Sequence, residues 1–266
     1  MSPKTYQCYL SGDSVTLQNE QTQLTIPPDH VQQLYDAWHR HQGIDLELNS
    51  PWHRLASKYL EPNRDIAGRI VLEIGCGRGE FACSLALSSE PPRKLIAADF
   101  SGAALETARL VAQKIAVESI CWQQADIQAL PFENNLFDTV ISCETIEHVP
   151  NPRLAVEELA RVLRPGGRLI LTTPNYFGSF GLYRAYLRCV GRPYTEAGQP
   201  INNVVLLPLT RRWIKQSGLK VLAVDSLGIP FFIPGRPPLA LKLPESIRWL
   251  WRWFGVQSCI VAEKSA

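Results

Sequence analysis

Between residues 69 and 172 short apolar runs alternate with stretches of helical period, and few folds accept that rhythm. The runs are 69–74, 94–98, 120–122, 137–143 and 168–172; helices are expected at 80–88, 101–116, 127–130 (a single turn) and 151–163. Strand–helix–strand units in series imply an α/β fold with a mostly parallel sheet. Pro165-Gly166-Gly167 reads as the turn that stops the fourth helix. The rhythm breaks over 174–209, which holds a helix at 179–190 with Phe180, Tyr183, Leu187 and Val190 on one face. A Gly/Pro-rich stretch then runs to Pro208. So long a connection in a compact domain reads as a lid or binding loop. Thr210 is expected to cap a helix ending at Gly218, followed by a strand at 220–225, a Trp-bearing helix at 245–254 and a last strand at 257–262. Upstream, Val31, Leu34, Tyr35 and Trp38 mark a helix over 29–41. Ser50 and Pro51 open another over 51–60. Residues 1–27 form a polar arm with one short hairpin.

Composition narrows the class. Of 266 residues, 45% are hydrophobic and 20% charged, enough for a sizeable core and unlike disorder, collagen or a coiled coil. No run of apolar residues is long enough for a spanning helix. Met1-Ser2-Pro3-Lys4 opens no apolar h-region, so no secretory signal is expected. The seven cysteines are scattered without a C-x-x-C pair, which fits a reducing cytoplasm better than a zinc cage or a disulfide framework. The net charge of +2 hides an asymmetry: residues 184–253 carry 11 Lys/Arg against 3 Asp/Glu, together with four of the seven Trp. That bias points to an anionic partner or a membrane surface.

The strongest chemical signal is Val71-Leu-Glu-Ile-Gly-Cys-Gly-Arg-Gly-Glu-Phe81, a strand that runs into Gly75-x-Gly77-x-Gly79 and then a helix. Such a turn lets the backbone approach a ligand closely, although a packing turn has the same pattern. A dinucleotide fingerprint requires Gly or Ala at the sixth position, and Glu80 stands there. With Glu73 two residues before the first Gly, the turn suits a cationic or phosphate-free ligand. Asp99 ends the second run, where a carboxylate can accept both hydroxyls of a ribose. Asp126 follows the third and can accept from an adenine amino group. Each Asp could instead cap the next helix, but acids at successive strand ends favour a ligand crevice.

Glu73-x-Gly-x-Gly-x-Gly79, Asp99, Ala125-Asp126, Phe137-Asp138, Glu147-His148-Val149 and Leu163-Arg-Pro-Gly-Gly-Arg-Leu-Ile-Leu171, in that order, resemble the class I S-adenosylmethionine (SAM) dependent methyltransferases over about 50–175. Cys143-Glu-Thr-Ile-Glu147-His148-Val is most similar to the ubiquinone-biosynthesis O-methyltransferases and their type 11 relatives. The resemblance implies a Rossmann-like three-layer sandwich whose seven-stranded, mostly parallel sheet has a reversed last strand. Residues 28–266 would form that domain, with a helical cap at 28–62 and the lid insertion at 174–209. It further implies that Gly75, Cys76, Gly77 and Gly79 hold the methionine end of SAM and that Asp99, with Phe100 and Ser101 beside it, holds the ribose. Asp126 and Ile127 would take the adenine edge, Cys143 would line the sulfonium region, and Arg54 would reach the SAM carboxylate.

His148 is the candidate base for methyl transfer, with a structural role under the crevice the equal alternative. Glu144, Glu147 and His148 match a Glu-x-x-Glu-His pattern that binds a divalent cation in some quinone O-methyltransferases. His30, His39, His41 and His53 are read as mostly solvated, with His53 near the site. Tyr176, Phe177, Tyr183, Tyr186 and Tyr194 are expected to wall an aromatic or lipidic acceptor. Segments 179–190 and 245–254 are the expected peripheral membrane contacts, against the reading that Trp249 and Trp253 fill the core. The expected reaction is methyl transfer to a small molecule, at oxygen, yielding S-adenosylhomocysteine. A sugar or polyketide O- or N-methyltransferase shares the scaffold, and a SAM-binding protein without catalysis shares the site. Nucleic-acid methylation is disfavoured: Thr173-Pro-Asn-Tyr176 only faintly echoes the base-amine motif, and no Pro-Cys pair is present.

Overall fold

The computed structural model describes residues 15–19, 22–26, 28–41, 50–192, 198–227, 230–231, 239–240 and 252–265. The arm holds a hairpin, β1 (Val15–Asn19) paired antiparallel with β2 (Thr22–Ile26). Two helices follow, α1 (Pro28–His41) and α2 (Pro51–Ser57). The Ser50 hydroxyl caps α2 by accepting from the His53 N–H at 3.3 Å, and Pro51 occupies the first turn, where its missing N–H has no helical partner to lose.

The main body alternates as the apolar runs require: β3 (Ile70–Ile74), α3 (Glu80–Ala86), β4 (Lys94–Asp99), α4 (Gly102–Lys114), β5 (Ile120–Gln124), β6 (Phe137–Cys143), α5 (Pro152–Val162) and β7 (Leu163–Pro174). Then come α6 (Ser179–Cys189), α7 (Leu207–Gln216), β8 (Leu219–Leu227), the short pair β9 (Pro230–Phe231) and β10 (Leu239–Ala240), and β11 (Gln257–Lys264). Seven strands form one sheet in the order β5-β4-β3-β6-β7-β11-β8. β3 through β7 pair in parallel, and β11 runs antiparallel to both its neighbours. The expected three-layer sheet with a reversed last strand is therefore present.

Both faces of the sheet are covered, so neighbouring residues feed different cores. Val71, Ile141 and Ile170 face α2, α3 and α4 with Leu55, Phe81 and Leu105. Leu72, Val140, Leu169 and Leu171 face α5 and α7 with Leu159 and Ile214. Beneath the sheet, Arg168 bonds Asp65 at 2.6 Å and Glu61 at 2.9 Å.

Three local expectations change. Residues 127–130 form a turn rather than a helix, because the Asp126 carboxylate accepts the Gln128 N–H at 2.8 Å and closes the chain locally. Pro165-Gly166-Gly167 lies within β7 as a bulge: Phe137 pairs with Leu163 but Thr139 with Arg168, so three extra residues are accommodated there. α7 starts at Leu207, since Pro208 is tolerated in a first turn, and the Thr210 hydroxyl donates back to the Leu206 carbonyl at 3.2 Å instead of capping. The expected helix at 245–254 lies mostly outside the described residues; 252–254 form a helical turn.

Candidate active site

The sheet order reverses direction between β3 and β6. From β3 the chain crosses to β4 on one side, and from β6 to β7 on the other, so the loops leaving β3 and β6 diverge. Ligands bind open α/β sheets in that crevice. A cavity of about 300 Å³ lies there, lined by the ends of β3, β4, β5 and β6 and roofed by α1 and α2.

The glycine turn after β3 is fixed by its surroundings. The Ala98 carbonyl accepts both the Gly75 and Cys76 N–H, at 2.8 and 3.0 Å. Gly75 has φ +76°, and a Cβ there would stand 2.1 Å from Thr145 Oγ1. This glycine is what lets the loop after β6 close over the loop after β3. At Gly77 (φ +52°) an added Cβ would meet nothing within 4 Å, so the turn leaves open space at the cavity wall. Gly79 packs under the Trp122 ring and does not line the cavity.

Asp99 closes the turn from the next strand. Its carboxylate accepts the Gly77 N–H at 2.8 Å and the Ser101 N–H at 2.9 Å, leaving acceptor capacity facing the cavity. Burial holds its pKa above the ordinary carboxylate value, against the opposing pull of His39 and the two amides. The Ser101 hydroxyl caps α4 and donates to Asp36 of α1 at 2.6 Å, which fastens the cap helix beside the β4 end. Glu73 lies fully behind the turn, and burial, then Glu80 and Asp99, push its pKa far up. Arg78 lines the cavity and pairs with Glu80 at 3.2 Å.

Beyond β6 the backbone is strained. Glu144 adopts φ +51°, a conformation costly for a non-glycine residue and characteristic of functional turns. The 3₁₀ turn Ile146–His148 follows. His148 lines the cavity, and its Nδ1 lies 2.8 Å from the Ile201 carbonyl. A carbonyl only accepts, so Nδ1 carries the proton and Nε2 is left with the lone pair. Burial lowers the His148 pKa to about 4 despite that hydrogen bond. From α1, Tyr35 donates to the His148 carbonyl at 2.8 Å.

The cation site expected from Glu144, Glu147 and His148 does not form. Glu144 accepts from Gln257 at 3.2 Å, Glu147 accepts from the Thr173 hydroxyl at 3.1 Å beneath the crevice, and His148 Nδ1 is committed to Ile201. Among the described residues no group of three such side chains is placed to hold a metal ion. Glu147 Oε1 and His148 Nε2 lie 3.7 Å apart, but the strand end and 3₁₀ turn aim Glu144 away from them, toward Gln257.

Of the other sequence candidates, Gly75, Cys76, Gly77, Asp99, Phe100, Asp126, Ile127 and Cys143 all line the cavity. Glu73, Gly79 and Ser101 stand behind it. Arg54 is exposed and does not line it, because α2 turns Trp52 and His53 to the cavity and Leu55 and Ala56 to the core. The aromatic wall also differs from expectation. It comes from Val31, Tyr35 and Trp38 of α1 and from Trp52 of α2, the stripe that marked α1 as a helix. Tyr176 is buried against Phe180 instead, and Tyr194 lies outside the described residues. The insertion reaches the site through Gln199, which lines the cavity, and through Ile201 and Asn203, which brace the 3₁₀ turn. His39, read as solvated, lines the cavity, and so does His53, expected near the site; burial lowers both pKa values, that of His53 to about 4.

The fold is that of the Rossmann-like methyltransferases. It superposes on the YcgJ protein from Bacillus subtilis over 80% of this chain and 99% of that one, with a TM-score of 0.60 at 17% identity. The [4+2]-cyclase SpnF superposes over 90% and 93%, with a TM-score of 0.56 at 17% identity. Residues 72–171 match the family model described as a methyltransferase domain. Among curated relatives, the demethylmenaquinone methyltransferase of Lactococcus lactis is 33% identical over 146 residues, 53% of this chain and 57% of the relative. The ubiquinone biosynthesis O-methyltransferase of Alkalilimnicola ehrlichii is 37% identical over 111 residues, 41% and 43%. The chain thus spans about half the length of these two relatives.

Proposed function

We propose that this chain is a SAM-dependent methyltransferase that methylates a small, aromatic or lipid-like acceptor at oxygen. The observation that carries the reading is the cavity at the β3/β6 reversal, inside the methyltransferase domain, where the open Gly77 turn meets the Asp99 carboxylate. The residues fit the cofactor: an unobstructed backbone turn, a carboxylate with spare acceptor sites, and acids around a cationic sulfonium. When bound, SAM supplies an activated methyl group.

The chain's own residues then bind and orient. Gly75, Cys76 and Gly77 would hold the methionine end, Asp99 the ribose hydroxyls, and Asp126 and Ile127 the adenine edge. Cys143 would line the sulfonium side. Arg78, which lines the cavity, takes the place expected of Arg54 as the cation for the carboxylate. Tyr35, Trp38 and Trp52 would exclude water and wall a flat acceptor, as the quinone-related relatives favour. His148 is the candidate to take the acceptor proton, with Nδ1 held to the Ile201 carbonyl and Nε2 3.7 Å from Glu147 Oε1. Residues 28–62 act as the cap and 174–209 as the buttress of the catalytic turn.

Isothermal titration with SAM and S-adenosylhomocysteine, beside Asp99→Asn, tests this. Losing a charge-assisted hydrogen bond to the ribose weakens binding roughly 10- to 100-fold. Labelled methyl transfer to phenols and quinones then identifies the acceptor. Folded protein that binds neither compound refutes the assignment.

A further inference from the structure

Away from the cavity, α7 carries an open basic groove lined by Arg211, Arg212 and Lys215 with Pro208, Gln216 and Trp253. Among the described residues no acidic side chain lines it. The Arg211 guanidinium lies 4.7 Å from the centre of the Trp253 ring, and its buried Nε has no hydrogen-bond partner among the described residues. Arg212 and Lys215 are exposed.

The turn at 252–254 joins this groove to an apolar surface. Exposed Arg252 precedes Trp253, and Phe254 stacks on Phe177 at 5.8 Å with both rings open to solvent. Asn175 donates to the Trp253 carbonyl at 2.7 Å, and Gly178 lies so close to Phe254 that a Cβ would stand 2.3 Å from its carbonyl oxygen. α6 starts there. It turns Phe180 inward and Leu182, Tyr186 and Val190 outward at i, i+4 and i+8, exposed by 76%, 39% and 48%. A helix normally hides such a stripe.

We propose that α6, the 252–254 turn and the α7 groove form one docking surface for an anionic lipid bilayer. Leu182, Tyr186, Val190, Phe177 and Phe254 enter the acyl boundary, while Arg211, Arg212, Lys215 and Arg252 meet headgroup phosphates. Charge complementarity selects this occupant: a groove whose described lining is basic, with no acid, beside an exposed apolar stripe matches the interface of a charged leaflet. The surface goes beyond the two segments picked out by sequence, since α7 is absent from both. None of its residues lines the cavity, so docking and cofactor binding are separable.

Co-sedimentation of the full chain with vesicles of phosphatidylcholine, with and without phosphatidylglycerol, tests the surface. Binding is expected only to the anionic vesicles and weakens as salt rises. R212A/K215A is expected to weaken it roughly 25-fold, about fivefold per cation. L182D/V190D is expected to abolish insertion, with the thermal midpoint of both variants unchanged. Three results overturn the proposal: no sedimentation with anionic vesicles, equal binding to neutral ones, or variants that bind like the parent. Capture of inorganic phosphate at the groove without vesicle binding also overturns it and names a soluble phosphate instead.

Discussion

Gly75→Ala isolates the close approach on which the crevice depends. Gly75 sits at φ +76°, and its missing Cβ would stand 2.1, 2.5 and 2.8 Å from Oγ1, Cγ2 and Cβ of Thr145. The left-handed backbone costs an alanine about 1–2 kcal/mol. Overpacking against the half-buried Thr145 side chain adds about 1–3 kcal/mol. Gly77→Ala has the same backbone cost at φ +52° but no clash, since nothing lies within 4 Å. The two variants should therefore split: Gly75→Ala loses roughly 3 kcal/mol, and Gly77→Ala about 1 kcal/mol. A chain of this size loses roughly 2–4 °C of melting temperature per kcal/mol. Urea unfolding followed by circular dichroism measures both. Thr145→Gly in the Gly75→Ala background should restore the steric share, about 1–3 kcal/mol, and leave the backbone share. Equal destabilisation of the two glycine variants, or a double variant no better than Gly75→Ala alone, would refute the packing argument. S-adenosylhomocysteine affinity should fall for Gly77→Ala despite its small stability loss, because the new methyl group enters the cavity.

Burial lowers the His148 pKa to about 4, so the unfolded chain binds the extra proton between that value and the ordinary pKa. Stability from this site is full above about pH 6.5 and falls as pH drops toward 4, by on the order of 3 kcal/mol. His148→Gln should flatten the slope of unfolding free energy between pH 7 and pH 5 (roughly this window); an unchanged slope refutes it. Arg168→Ala strands the buried Asp65 carboxylate and should cost about 3–5 kcal/mol in chemical denaturation, whereas a loss below about 1 kcal/mol contradicts the buried pair. Since Glu144, Glu147 and His148 point to different partners, chelation by EDTA should leave methyl transfer unchanged; a loss restored by a divalent cation would show that the three side chains regroup.

The α/β class, the strand positions and the strand-end lining of the cavity were readable from sequence because they rest on local rules. Apolar runs of strand length must be buried on both faces, which fixed β3, β4 and β6 to within about a residue. The glycine turn and the acids Asp99 and Asp126 follow strand ends, and parallel strands necessarily bring those ends to one edge of the sheet. The helical wall of the cavity did not yield to the same reasoning. Val31, Tyr35 and Trp38 carry the spacing of a core-facing helix, and nothing in that spacing says that the face covers a cavity.

The phase of α2 is equally silent in sequence: Pro51-Trp52-His53-Arg54 offers three functional side chains, and only docking onto Phe81 decided that His53 faces in and Arg54 out. Likewise Glu-x-x-Glu-His is a spacing, whereas a metal site is a convergence of lone pairs. The strained turn at Glu144 and the partners Gln257, Thr173 and Ile201, drawn from distant segments, set those directions. Sequence determined what is periodic and local. Tertiary structure decided which faces meet, because side-chain direction at a turn is settled by neighbours far away in the chain.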